Sequence, residues 1–145
     1  MKIEIDQSGK LEDTNRPTVI GFSNKVNKTV IISSVEKQKL QKYFRKIGKS
    51  RQYIYKTFAI LIYYLIKDKN KISQIIIDRE YPGQEALIKG FLLEYLKSSK
   101  IKIDKKTIYF DEIGKSAKIH DIVWHAYTNK KADFKLSAKD ILKNL

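Results

Sequence analysis

The segment from Ser50 to about Lys67 constrains this chain most. Read as a helix, it is apolar almost all round and contains no carboxylate. A helix without a polar face has no side to give to water and is a buried element. Its longest apolar stretch, Phe58-Ala-Ile-Leu-Ile-Tyr-Tyr-Leu-Ile66, is too short to span a bilayer. It should therefore lie across a sheet. At 145 residues the chain has one domain's length and can bury a real core.

The sheet is foreshadowed upstream. Lys2 to Asp6 alternates charged and apolar residues, Thr18 to Ser23 is rich in β-branched residues, and Lys28 to Ser33 repeats the theme. Ser8-Gly9, Asn15-Arg16-Pro17 and Asn24-Lys25-Val26-Asn27 are turn compositions, so these runs predict an antiparallel meander. Helix follows. Ser33-x-x-Glu36 reads as a capping box, and Leu40, Tyr43, Phe44 and Ile47 form a helical stripe that Gly48 interrupts. After the buried helix comes a fourth strand, Gln74 to Asp78, and a turn at Tyr81-Pro82-Gly83. Gln84 to Ser98 reads as an amphipathic helix with Leu87, Phe91 and Tyr95, or Leu92 and Leu96, inward. Thr107 to Asp111 is the fifth strand and Ser116 to about Thr128 the next helix. Residues 129–145 form a basic extension, with a short helix capped by Ser137.

The order is βββαβαβα. Strands separated by helices pair in parallel through right-handed crossovers. The expected domain, spanning residues 1–145, is thus α/β: a mixed five-stranded sheet with helices on both faces, the first strand central and the fourth beside it. Ligands in such sheets gather at the carboxyl ends of the strands. Asp6 and Asp78 both end strands there. Asp121 lies on the late helix between Ile119 and Ile122-Val123, with Ala126 beyond. It is expected close to the core, where a carboxylate needs a partner.

Charge narrows the partner. Lys and Arg number 30 against 16 acidic residues, a formal net charge of +14, which favours polyanions through counterion release. The region from Lys37 to Lys56 holds eight cations and no acid, with Tyr43, Tyr53 and Tyr55 interleaved. Lys39, Lys42 and Lys46 share one helix face and could follow a phosphate backbone. Lys49 and Arg51, around a helix N-terminus, could hold one phosphate. For any single lysine, solvation of the helix is the simpler role. The chain has no cysteine, hence no disulfide and no thiolate metal site, and two histidines make a zinc site a poor fit. The N-terminus is unlike a signal peptide, so a cytoplasmic protein without a membrane association is expected.

The element order with those carboxylates resembles the ribonuclease H-like superfamily, which includes ribonucleases H, RuvC-type Holliday-junction resolvases, retroviral integrases and transposases. The resemblance covers roughly Met1 to Thr128. The opening Ile-Asp6-Gln-Ser-Gly9 and the closing Gly-Lys-Ser116-Ala-Lys-Ile-His-Asp121 resemble one branch of small proteins that opens with Asp-x-Ser-Gly. That branch carries an Ala-Asp pair on the late helix; here His120 stands in place of the Ala. The resemblance implies that Asp6, Asp78 and Asp121 bind metal. It also implies a Glu on the helix after the third strand. The buried helix has none, which leaves Glu36, Glu80 and Glu85 as rivals for a fourth ligand.

The chemistry implied is phosphodiester hydrolysis of DNA or RNA. It needs a nucleophilic water, stabilisation of a more negative phosphorus centre and help for the leaving oxygen. Two Mg²⁺ or Mn²⁺ ions about 3.5–4 Å apart supply all three, held by a few carboxylates and the substrate's own phosphate. Asp6 would bridge them. His125, one turn after Asp121 on the same face, is an accessory candidate for proton transfer, whereas His120 is expected to point elsewhere on the helix. The alternative is a non-catalytic nucleic-acid-binding adaptor with a degenerate site. Phosphotransfer from ATP, as in actin-like kinases, needs a second lobe for which this length leaves no room. A domain this short suits work as a homodimer or beside a partner subunit, especially on two-fold symmetric junctions.

Overall fold

The computed structural model describes residues 1–69, 71–99, 103–114 and 117–145. Strands β1 (Lys2–Ser8), β2 (Thr18–Ser23) and β3 (Asn27–Ile32) form the expected meander. Helices α1 (Ser34–Lys46) and α2 (Gln52–Ile66) follow, then β4 (Gln74–Asp78), α3 (Glu85–Leu96), a 3-10 turn at Lys105–Thr107, β5 (Ile108–Asp111) and α4 (Lys118–Asn129). Two further elements, β6 (Phe134–Lys135) and α5 (Ala138–Leu142), close the chain. The sheet is mixed, in the order β5-β4-β1-β2-β3-β6. Only β2 runs antiparallel to its neighbours; β4 pairs parallel to β1, β5 to β4 and β6 to β3.

The sheet therefore has six strands rather than the five expected. The sixth arises in the basic extension, where Phe134 and Lys135 pair with Val30 and Ile31, covering part of an edge that β3 would otherwise leave open. The extension is built into the domain: Leu136, Ala138 and Ile141 are buried in the main core. The Ser137 cap is a full capping box with Asp140. At α1 only half of the expected box forms. Ser33 accepts from the Glu36 N–H, but the Glu36 carboxylate turns away to the Ala138 N–H, 2.9 Å distant. The expected start of the late helix at Ser116 lies outside the described residues.

Alternation along the strands divides the core in two. Ile3, Ile5, Ile20, Phe22, Val30, Ile32, Ile75 and Ile77 face a large core under α1, α2, α3 and α5. The apolar helix α2 is its centre, as its sequence requires. Ile88, Leu92 and Leu96 are the buried stripe of α3, while Leu87 is exposed. The opposite sheet face carries a smaller core in which Val19 and Ile31 meet Ile119, Val123 and Ala126 of α4. Among the described residues, no helix is long and apolar enough to cross a membrane.

Two glycines set how closely α4 lies on the sheet. A Cβ on Gly21 would sit 2.8 Å from Val123 Cγ1 and 3.0 Å from Thr29 Cγ2. The missing side chain lets α4 descend beside Asp6, the residue paired with Gly21 across the strands. Gly9, at φ +81°, ends β1, and a Cβ there would lie 2.4 Å from the Pro17 carbonyl oxygen and 2.6 Å from the Tyr127 ring. Both the left-handed backbone and the backbone clash oppose any side chain. Gly9→Ala is expected to lower stability by about 2–4 kcal/mol, read by urea unfolding; a change within about 0.5 kcal/mol would show that this turn relaxes freely.

Candidate functional site

The parallel pairing of β1 and β4 brings two sequence-distant carboxylates together. The β4 ladder along β1 ends at Ile5 paired with Ile77, so Asp6 and Asp78 are the next residues on neighbouring strands. β1 itself runs two residues beyond Asp6, paired with β2 alone. Just after β4, the Glu80 N–H donates to the Asp78 carbonyl (2.9 Å), a tight turn that brings Glu80 back over the strand end. One carboxylate oxygen each from Asp6, Asp78 and Glu80 lies within 4.8 Å of the others.

The cluster is held from several sides. Asp6 is 4% exposed. Its Oδ1 accepts from the Gln7 N–H (2.8 Å), and its Oδ2 lies 3.3 Å from His120 Nδ1. Asp78 Oδ1 accepts from the Ile113 N–H at 2.7 Å, fixing the connection between β5 and α4. Gln7 donates to the Tyr81 hydroxyl (3.0 Å), and the Tyr81 ring packs edge-on against Tyr55 and Phe58 of α2. The turn bearing Glu80 is thereby anchored to the main core.

Electrostatically the cluster is short of positive charge. Burial raises the Asp6 pKa and the Asp78 charge adds to it, against the lowering by the Gln7 N–H and His120. Burial also raises Glu80, to about 8, reinforced by its hydrogen bond to Asp78 and by the charges of Asp78 and Asp6. Among the described residues, no lysine or arginine pairs with any of the three, and the one basic side chain in contact is His120, 3.3 Å from Asp6. Without metal, Glu80 therefore keeps a proton at neutral pH in a place where a cation would serve. Three hard oxygen donors with no thiolate and one imidazole nearby fit Mg²⁺ or Mn²⁺.

This has a measurable consequence. Folded Glu80 holds its proton up to about pH 8, whereas an ordinary glutamate releases it near 4.5. Between those values the native state binds more protons than the unfolded one, so stability falls as pH rises through that window. The melting temperature of the metal-free protein should fall from pH 4.5 to pH 8 through this group. Mg²⁺ or Mn²⁺ should raise it strongly at pH 8 and little at pH 5. In Glu80→Gln the contribution should flatten; an identical pH profile in that variant would show that Glu80 is not its source.

The other sequence candidates lie elsewhere. Asp121 is exposed, not near the core. The buried stripe of α4 is Ile119, Val123 and Ala126, and a step of about 100° per residue puts Asp121 on the opposite side. His120, expected to point away, is the α4 residue that reaches Asp6. His125 is also exposed, on the flank that lines a shallow cavity with Asn27, Thr29 and Asp133. Glu36 stays at the first turn of α1, paired with Lys39 at 2.8 Å. Glu85 accepts from the Gly83 N–H with both carboxylate oxygens and lies 3.7 Å from Arg79, which stiffens the turn below the cluster.

Lys39, Lys42, Lys46, Lys49 and Arg51 are all exposed along α1 and the corner into α2. Lys37, the first cation of the same series, is fully buried. Its ammonium donates into the loop after β1, and the Tyr53 hydroxyl donates to Leu11 O in the same loop (2.8 Å). With Tyr55 on Tyr81, these contacts place the basic corner at the same end of the sheet as the carboxylates, although α1 and α2 cover the other face. No family model, no curated protein and no solved structure matches this chain.

Proposed function

We propose that this chain is a divalent-metal-dependent nuclease of ribonuclease H-like fold, hydrolysing phosphodiester bonds. The observation that carries the reading is the convergence of Asp6, Asp78 and Glu80 at the carboxyl ends of adjacent parallel strands, with Glu80 holding a proton at neutral pH. The strand order β3-β2-β1-β4-β5, with β2 alone antiparallel and α4 packed beside β1, supports the fold assignment.

In this reading Asp6, Asp78 and Glu80 hold the metal. Bound Mg²⁺ or Mn²⁺ would supply an acidified water and stabilise charge on the phosphate. Asp6 is the central donor, fixed between β2 and β4. The Gln7 N–H and His120 orient the two oxygens of Asp6, each of which keeps a lone pair for a metal, while the Ile113 N–H orients Oδ1 of Asp78 and leaves its Oδ2 for the metal. The lysines of α1 and the Lys49–Arg51 corner contribute phosphate contacts that carry no sequence information. Asp121 takes no ligand role, since His120 occupies the α4 position at the cluster.

A nucleic-acid adaptor is the second reading. It is favoured by one feature: no helix contributes a carboxylate to the cluster, because α2 has none and Asp121 is exposed. Cleavage assays in Mg²⁺, Mn²⁺ and EDTA separate the two, using single strands, duplexes, RNA–DNA hybrids and four-way junctions. Metal-dependent cutting lost in Asp6→Asn supports the nuclease. Salt-sensitive binding without cutting under any metal overturns it in favour of the adaptor.

A further inference from the structure

Helix α4 packs over β1, β2 and β3, and among the described residues no helix packs on the strip of the same sheet face over β4 and β5. Strand register sets Glu4, Ile76 and Tyr109 side by side along this strip, one row below the level of Asp6 and Asp78. The rows are two residues apart, about 6.6 Å. Ile76 is only partly covered and Tyr109 is 48% exposed. Trp124 is 50% exposed and lies one helical turn beyond His120, on the flank of α4 that meets Asp6. Its indole packs edge-on against His125, ring centres 5.4 Å apart.

Among the described residues, Tyr109 and Trp124 are the only aromatic side chains among the large hydrophobics left exposed; Tyr109 stands on β5 one row below the level of Asp78, and Trp124 one turn past His120, the α4 residue that reaches Asp6. A surface Trp and Tyr cost hydration without contributing to either core, and an aromatic face in water is a stacking surface. Every base presents a π-face to such a ring, whatever its sequence. In a duplex those faces are already stacked on neighbouring bases and closed to the protein. The cations fit the same occupant. Lys2 stands exposed at the foot of β1 on this face, and Lys105 and Lys106 are exposed just before β5, so the end of the strip away from the carboxylates is basic.

We propose that Trp124 and Tyr109 form a base-stacking platform beside the carboxylate cluster, making the substrate class a nucleic acid with unpaired bases next to the scissile phosphate. The inference rests on the nuclease reading for its catalytic meaning. The platform itself is tested by binding alone. Unpaired bases lie on the indole and phenol rings, Lys2, Lys105 and Lys106 neutralise phosphates leading in, and the backbone passes the cluster at the rim.

The chain's single tryptophan is its own reporter. In EDTA, where no metal-dependent cutting occurs, oligo-dT and oligo-U of 12 nucleotides should quench Trp124 emission by about half. A blunt duplex of the same length and inorganic polyphosphate should leave it within about a tenth of its starting value. Trp124→Ala should weaken oligo-dT binding about tenfold by fluorescence anisotropy, the scale of one base on an aromatic ring. Trp124→Phe should restore most of that affinity, and Tyr109→Ala should lose several-fold. Both side chains are exposed, so the variants should melt like the parent protein. Equal quenching by duplex or polyphosphate overturns the platform, as does oligo-dT binding that Trp124→Ala leaves unchanged, or no oligo-dT binding at all. Quenching in the parent and weakened oligo-dT binding in Trp124→Ala, without cleavage under any metal, uphold the platform and sink the nuclease reading instead.

Discussion

Under the nuclease reading proposed above, Asp6→Asn is expected to lower cleavage by at least about a thousandfold, the scale of removing a principal electrostatic contact with the reacting centre, while leaving the metal-free protein as stable as before or more so. The two halves of that outcome come from one cause. Asp6 is nearly buried, and its pKa is raised by burial and by the neighbouring Asp78 charge. Ionised without metal, it is a burden on the fold. An asparagine is isosteric, keeps an oxygen for the Gln7 N–H, and removes one negative charge from a cluster that holds three carboxylates. Stability measured in EDTA should therefore hold or rise, and the stabilisation by Mg²⁺ or Mn²⁺ should disappear. Asp78→Asn should behave alike, because the amide oxygen can still accept from Ile113 N–H. Asp121→Asn should cut at the parent rate, since that side chain faces solvent. The measurements are initial cleavage rates at saturating metal and melting curves with and without it. A strongly destabilised Asp6→Asn would instead make Asp6 a structural residue of the strand end, and the metal site would fail with it.

How much of this was legible in the sequence varies by element, for physical reasons. The run Gln74–Asp78 was readable to the residue, because a short apolar stretch bounded by turn residues has few alternatives. Asp6 and Asp78 could be placed together because parallel pairing of the first and fourth strands leaves their carboxyl ends side by side. The third member differs: the sequence points to Asp121 and leaves Glu80 as one of three rivals for a fourth ligand, whereas the turn that folds the Glu80 N–H back to the Asp78 carbonyl brings Glu80 to the cluster. The error on α4 was one of phase. Apolar neighbours along the chain made Asp121 look internal, yet residues adjacent in a helix diverge by about 100°. The stripe Ile119, Val123 and Ala126 already put residue 121 outside and left residue 120 at the flank. β6 is two residues long, too short for any periodicity to declare it; its existence depends on the open edge of β3.

Lys37 is the clearest case of a signal present but masked by residue type. It continues the Leu40–Phe44 stripe one turn toward the N-terminus, and α1 buries all three. In the chain it reads as one more lysine of a basic run. Its ammonium donates to Arg16 O at 2.7 Å, to Lys10 O and Thr18 Oγ1 at 2.9 Å each, and to Asp13 O. Burial draws its pKa down to about 8, so at neutral pH the charged form still predominates, with three protons for these four oxygens. The loop between β1 and β2 is thus wound around a cation from α1. Lys37→Met keeps length and apolar volume but strands three carbonyls and a hydroxyl in a dry place. Each unsatisfied buried acceptor costs on the order of 1–3 kcal/mol, partly offset because no charge is then buried. A net loss of about 3 kcal/mol is expected, a fall of about 10 °C in melting temperature, with early hydrogen exchange and proteolysis across residues 10–17. The loss should reach the carboxylates as well, because the same loop follows Gln7 and Gly9 directly. Metal-induced stabilisation in Lys37→Met should be weaker than in the parent at equal metal concentration. A variant that melts like the parent and exchanges no faster in the loop would mean that Leu11 and the Tyr53 hydroxyl hold it without the cation.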